Sequence, residues 1–266
     1  MTALIVALVL GFAFLSASAS AAASSSRFRV FIEHTDAFQM LLNSNFPVLV
    51  ERSLACDSTA EQLVGFRLLK LKSPGRLGDE LTLDCSSSGG EQDGSKVVCR
   101  NQAGSEIFSA TKAMVGVATD DDRQQQQQQQ PPSDSFEFDV FPDELVRDGV
   151  LSTKTVFNLF ERGRTSVLGG PDRLQAALAA ANHVYVARIA GYRHSLRPPA
   201  SPRVRVDSRT TLLGDSLVDF DQSVVCASTG LVLARAVVTC VGVDGRTGTP
   251  APFGPDLLRA LSSSLH

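Results

Sequence analysis

Asn45-Phe-Pro-Val-Leu-Val-Glu51-Arg52 and Thr155-Val-Phe-Asn-Leu-Phe-Glu161-Arg162 are the two stretches on which the fold of this chain turns. Each is a short apolar run that ends in the same Glu-Arg pair, and each has polar residues at its start that can cap a helix. Asn43 or Asn45 serves the first, Ser152 or Thr153 the second. Pro47 is tolerated in the first turn, where the N–H groups have no intrahelical acceptors in any case. Ahead of each run lies an alternating segment, Phe28-Arg-Val-Phe-Ile-Glu33 and Phe136-Glu-Phe-Asp-Val-Phe141, the pattern of a half-buried strand.

The likeness continues behind the helices. Lys96-Val-Val-Cys99 matches Ser223-Val-Val-Cys226, and each is followed by a short glycine turn, at Gly104 and Gly230. A last strand, Ser109 to Asp120, has its counterpart in Leu233 to Asp244. Glycine pairs and Asp-Gly mark further turns at Gly89-Gly90, Asp93-Gly94 and Gly214-Asp215, and Pro171 opens an extra helix reaching Ala181. Each half therefore reads as strand, helix, then about four antiparallel strands. A helix lying on a curved sheet buries the apolar face of both, and two such small units gain by pairing.

Between the halves Thr119 to Ser135 reads TDDDRQQQQQQQPPSDS, which has no apolar surface to bury and is expected to be a flexible linker. The expected organisation is a leader over 1–26, one unit over 27–118, the linker over 119–135, a second unit over 136–245 and a tail over 246–266.

The chain has 266 residues, 43% hydrophobic and 20% charged, so a packed core is expected rather than disorder. With 28 acidic and 25 basic side chains the balance is near neutral, and there is no Trp and only two Tyr, which argues against nucleic acid as a partner. Residues 1–26 carry no charge. The apolar run from Ala3 to Leu15 is shorter than the roughly 20 residues a membrane span needs, and it passes into small residues with cleavage expected around Ala17 to Ala23. This reads as a secretory signal peptide, leading to the secretory pathway and from there to an endomembrane-derived organelle; a cytoplasmic chain is the alternative. No membrane span is expected in the mature chain. Five cysteines do not make a disulfide framework; Cys85 and Cys99 either face each other across a hairpin or are buried free thiols. Without a Cys-x-x-Cys or Cys/His cluster, neither a metal nor another cofactor is expected.

Phe31-Ile-Glu-His34-Thr-Asp36-Ala37, then Asn45-Phe46, then Val50-Glu51-Arg52 resembles the acyl-CoA thioesterases of the 4-hydroxybenzoyl-CoA thioesterase type, which have the hotdog fold. Their strand ends in D-T-D-A/P and is followed by a glycine-bearing loop, N-Y, and a helix with F-E-R. Asp36 falls on the motif's acid, and Asn45 and Phe46 follow at the family's spacing. Leu71-Lys72-Ser-Pro-Gly-Arg76-Leu-Gly78-Asp79 is similar to the family's approach to its third strand. The resemblance implies an α+β double hotdog, with two antiparallel sheets each wrapped around a central helix, and pairing into homo-oligomers is open.

It also implies a reaction, the hydrolysis of acyl-CoA or acyl-carrier-protein thioesters. Such a reaction needs a carboxylate to attack the carbonyl or activate water, and donors for the oxyanion. By resemblance Asp36 is that carboxylate, the loop from Met40 through Leu42 to Asn45 supplies backbone N–H groups at the helix start, and Asn45 fixes the loop. Lys70, Lys72 and Arg76 are the cations expected for CoA phosphates. His34 stands where the motif has its first acid; it either tunes Asp36, two residues along one strand face, or bonds to backbone. Phe38 and Gln39 replace the small glycine-bearing pair and narrow the place where substrate meets backbone.

Counting back from Glu161 by the Asp36-to-Glu51 spacing lands on Val146, with Asp143 and Asp148 out of register. One working site per chain is therefore expected, while Glu51 and Glu161 recur as structural residues. His194 is read as a packing or surface residue. Two other functions have the same fold. One is an inactive hotdog protein that binds an acyl group or a partner. The other, a dehydratase, is set aside because Gly78-Asp79-Glu80-Leu81 and Gly214-Asp215-Ser216-Leu217 lack the Asn-Pro and His of such enzymes.

Overall fold

The computed structural model describes residues 24–29, 45–55, 65–73, 76–86, 96–112, 134–195 and 197–263. The first half contributes β1 (Ser24–Arg29), α1 (Asn45–Ala55), β2 (Gly65–Leu71), β3 (Glu80–Ser86), β4 (Lys96–Arg100) and β5 (Glu106–Lys112). The second contributes β6 (Asp134–Asp139), α2 (Thr153–Val167), α3 (Pro171–Ala179), β7 (Asn182–His194), β8 (Arg203–Leu212), β9 (Leu217–Cys226), β10 (Val232–Asp244) and α4 (Pro255–Ser263). The predicted helices sit where their apolar runs put them; in α1 Asn45 is the first helical residue and Asn43 lies outside the described residues, whereas in α2 the predicted cap is seen. Ser152 is the N-cap of α2 and accepts from the Thr155 N–H at 3.0 Å.

All ten strands form a single sheet in the order β1-β3-β4-β5-β2-β7-β10-β9-β8-β6. Every pairing is antiparallel. The order reads the same from both ends, with the first helix-bearing half on one side and the second on the other. Two separate sheets were expected; the structure corrects this to one continuous sheet. The cause is the pairing of β2 with β7, which sets Gly65 opposite Arg193, Phe66 opposite Tyr192 and Leu69 opposite Ile189. Without it each half would leave an unpaired edge of N–H and C=O groups beside the other.

Alternation along the strands sends one face inward. In β8 Val204, Val206, Ser208 and Thr210 are buried, and in β9 Val218, Phe220, Gln222 and Val224. The helix α1 lies on β1 and β3, α2 lies on β6, β8 and β9, and the helices touch each other. At the junction Phe66 of β2, Tyr192 of β7 and Phe157 of α2 form one aromatic group. Ring centroids are 5.0 Å apart for Phe66–Tyr192 and 4.8 Å for Phe157–Tyr192. Such clusters give large apolar burial plus favourable ring geometry. Close packing of α2 depends on Gly163, where a Cβ would come within 2.7 Å of Val206 Cγ1. Beside it the buried Arg164 donates to Gln222 Oε1 at 2.8 Å, and Gln222 Nε2 donates to the Phe160 carbonyl and to Ser208 Oγ, both at 3.1 Å. A buried guanidinium needs such partners.

The glycine turns are where the sequence puts them. Gly104 and Gly230 have φ of 78° and 71°, the left-handed region that costs glycine least, and each closes a hairpin. Two boundaries differ. Strand β1 starts at Ser24, inside the span read as leader, and pairs as far as Ser24 opposite Cys85. The stretch read as a tail over 246–266 folds back as α4, with Phe253, Leu257 and Leu261 buried. Its apolar residues at i and i+4 lie on one helix face, which burial rewards.

Cys85, Cys99, Cys226 and Cys240 are buried and form no disulfide. Cys99 stands opposite Leu83 and Cys85 opposite Val97, so the two thiols do not face each other. Burial, with the Asp84 carboxylate, pushes the Cys99 thiol up to about 12. No helix among the described residues is long and apolar enough to cross a membrane.

Candidate functional site

The segment ahead of α2 is strapped to that helix by its own hydrogen bonds. Pro142–Glu144 and Arg147–Gly149 form two short 3-10 turns. The Phe141 N–H donates to the Glu144 carboxylate at 3.0 Å, and Arg162 of α2 pairs with the same carboxylate at 3.2 Å. The Glu144 carbonyl accepts from the Ser152 N–H at 3.2 Å and from the Thr155 hydroxyl at 2.6 Å. The Val146 N–H donates to the Val150 carbonyl at 2.8 Å, and Leu145 bridges Leu151. Val146 is thereby held beside the first turn of α2.

Between this first turn and α1 lies a cavity of about 280 Å³, lined by Val48, Val146, Leu151, Ser152, Thr153, Lys154 and His194. Thr153 and Lys154 are the first two residues of α2. Their N–H groups have no intrahelical acceptor, and the helix presents its positive end there. Val48, Val146 and Leu151 supply apolar surface. His194 ends β7 and is 5% exposed; its Nε2 has no hydrogen-bond partner among the described residues. Burial holds the imidazole down to about 4, so the ring is neutral at physiological pH. The site thus combines amide donors, one exposed ammonium, a neutral buried imidazole and an apolar wall. No carboxylate is among its described lining residues.

The residues expected to do chemistry fall into three groups. His34, Asp36, Phe38, Gln39, Met40 and Leu42 lie outside the described residues. Asn45 is the first residue of α1 and is 6% exposed, which places a buried amide at the helix start. The three cations lie among the described residues, and none of them is among the described lining residues of the cavity. Lys70 is exposed on β2 opposite Arg188. Lys72 is engaged with Glu106 at 3.1 Å. Arg76 is exposed, and its backbone N–H donates to the Asp79 carboxylate at 2.8 Å in the turn before β3.

In the second half Val146 lines the cavity, whereas Asp143 and Asp148 are exposed and do not. Asp148 has φ of 71° within the second 3-10 turn. His194, read from the sequence as a packing or surface residue, and Lys154, which the sequence did not single out, are both lining residues. His194 alternates in phase with the buried Tyr192, the only signal in the sequence that its ring points inward.

No family model and no curated protein sequence matches the chain. Solved structures do match. An acyl-ACP thioesterase from Bacteroides thetaiotaomicron superposes with a TM-score of 0.54 at 9% identity, covering 83% of this chain and 97% of its own. A 12:0-ACP thioesterase from Umbellularia californica gives 0.55 at 9% identity, covering 83% and 94%. The dehydratase domain of the polyketide PpsC from Mycobacterium tuberculosis gives 0.54 at 13% identity, covering 82% and 92%. At these identities the likeness concerns the backbone, and a fold hosts several chemistries, as the dehydratase domain illustrates. This chain has the hotdog fold, its two helix-on-sheet halves joined edge to edge in one sheet.

Proposed function

We propose that the chain hydrolyses acyl thioesters of CoA or a carrier protein, at one site per chain built around Asp36. The Asp36 carboxylate attacks the acyl carbon or takes a proton from the water that does. The C–S bond breaks, the sulfur leaves as a thiol, and the acid is released after water adds. Backbone N–H groups at the start of α1 hold the developing oxyanion, where the helix end favours negative charge. His34 stands two residues from Asp36 and sets its charge state, and Lys70 and Arg76 are the cations for CoA phosphates.

The observation that carries this reading is a parallel between the halves. By the spacing that relates Glu51 to Glu161, Asn45 corresponds to Thr155. Thr155 ties the preceding loop to its helix through the Glu144 carbonyl at 2.6 Å. Asn45 is buried at the start of α1, which supports the same role for it toward the loop that follows Asp36. The parallel also supports the view that the chain arose by duplication. A second reading, an acyl-binding protein without turnover, is favoured by Val146 at the cavity and by Phe38-Gln39 in place of a glycine pair.

The test is a panel of acyl-CoA and acyl-carrier-protein substrates with detection of the released thiol. Asp36→Asn is expected to abolish turnover, while Asp143→Asn and Asp148→Asn retain it. Equal, negligible rates for the wild type and Asp36→Asn would favour the binding protein, and loss with Asp148→Asn alone would reverse the assignment. We also propose that residues 1–23 direct the chain into the secretory pathway toward an endomembrane-derived organelle. A fluorescent tag at the C-terminus, imaged with and without those residues, reads this out; cytosolic signal in both would overturn it.

A further inference from the structure

We draw no further inference here: the strongest candidate, the cation-rich patch on the outer face of the sheet where Lys70 of β2 stands opposite Arg188 of β7 and Arg193 of β7 opposite Arg235 of β10, carries nothing, because Arg188 and Arg235 already pair with Asp219 and Asp221 and nothing in the structure shows what covers it.

Discussion

The Thr155 hydroxyl donates to the Glu144 carbonyl at 2.6 Å and also lies 2.6 Å from the Ser152 hydroxyl. These contacts lock the segment from Glu144 to Ser152 onto the first turn of α2 and hold Val146 at the cavity. Loop and helix start therefore move as one piece. In a fold whose chemistry is placed by loops, rigid attachment of that loop decides where a side chain can act.

Ser152→Ala removes the N-cap and is expected to cost about 1 kcal/mol. Thr155→Val removes two hydrogen bonds and is expected to cost about 1–2 kcal/mol. Because the two hydroxyls share a hydrogen bond, the double variant should cost less than the two losses added together. Urea unfolding midpoints of the three variants check this.

Gly65 lies where the halves join. A Cβ there would meet the Tyr192 carbonyl oxygen at 2.3 Å, and backbone cannot swing aside as a side chain can. Gly65→Ala is expected to destabilise the chain by about 1–3 kcal/mol through forced separation of β2 from β7. Thermal unfolding reads the loss.

Phe157→Ala opens a void beside Phe66 and Tyr192, whose rings lie 6.1 and 4.8 Å from its own. The expected cost is about 3–5 kcal/mol. Since the ring belongs to α2 yet packs on β2, both halves should lose stability together. Hydrogen exchange of strand amides in β3 and in β9 follows each half separately.

His194 gives a pH dependence with a definite sign. Burial lowers its folded value to about 4 from an ordinary value of 6.5, so the unfolded chain takes up the proton first as pH falls. The group's contribution to stability is complete above about 6.5, declines between 6.5 and 4, and changes no further below that. The full effect is about 3 kcal/mol. The urea midpoint should fall from pH 7 to pH 4.5 by more in the wild type than in His194→Phe.

Much of the fold was legible because its signals are local. The Ser152 cap, the Thr155–Arg162 apolar run and the glycine turns at Gly104 and Gly230 each depend on a few neighbouring residues, and all appear where expected. The single sheet was not legible, since nothing near Gly65 or Arg193 in sequence says that these strands meet. Nor was the docking of α4, whose apolar face over Leu257 and Leu261 is short enough to pass for a tail.

The sequence by itself determined the elements, the likeness between the halves, and the absence of an acid in register at Val146, because these rest on periodicity and spacing along one chain. Only the tertiary structure decided which edges join, and that Val48, Val146, Lys154 and His194 surround one space. Those residues come from two helices, a loop and a strand end, and their meeting follows from long-range strand pairing and helix packing, which carry no signature in any short stretch of sequence.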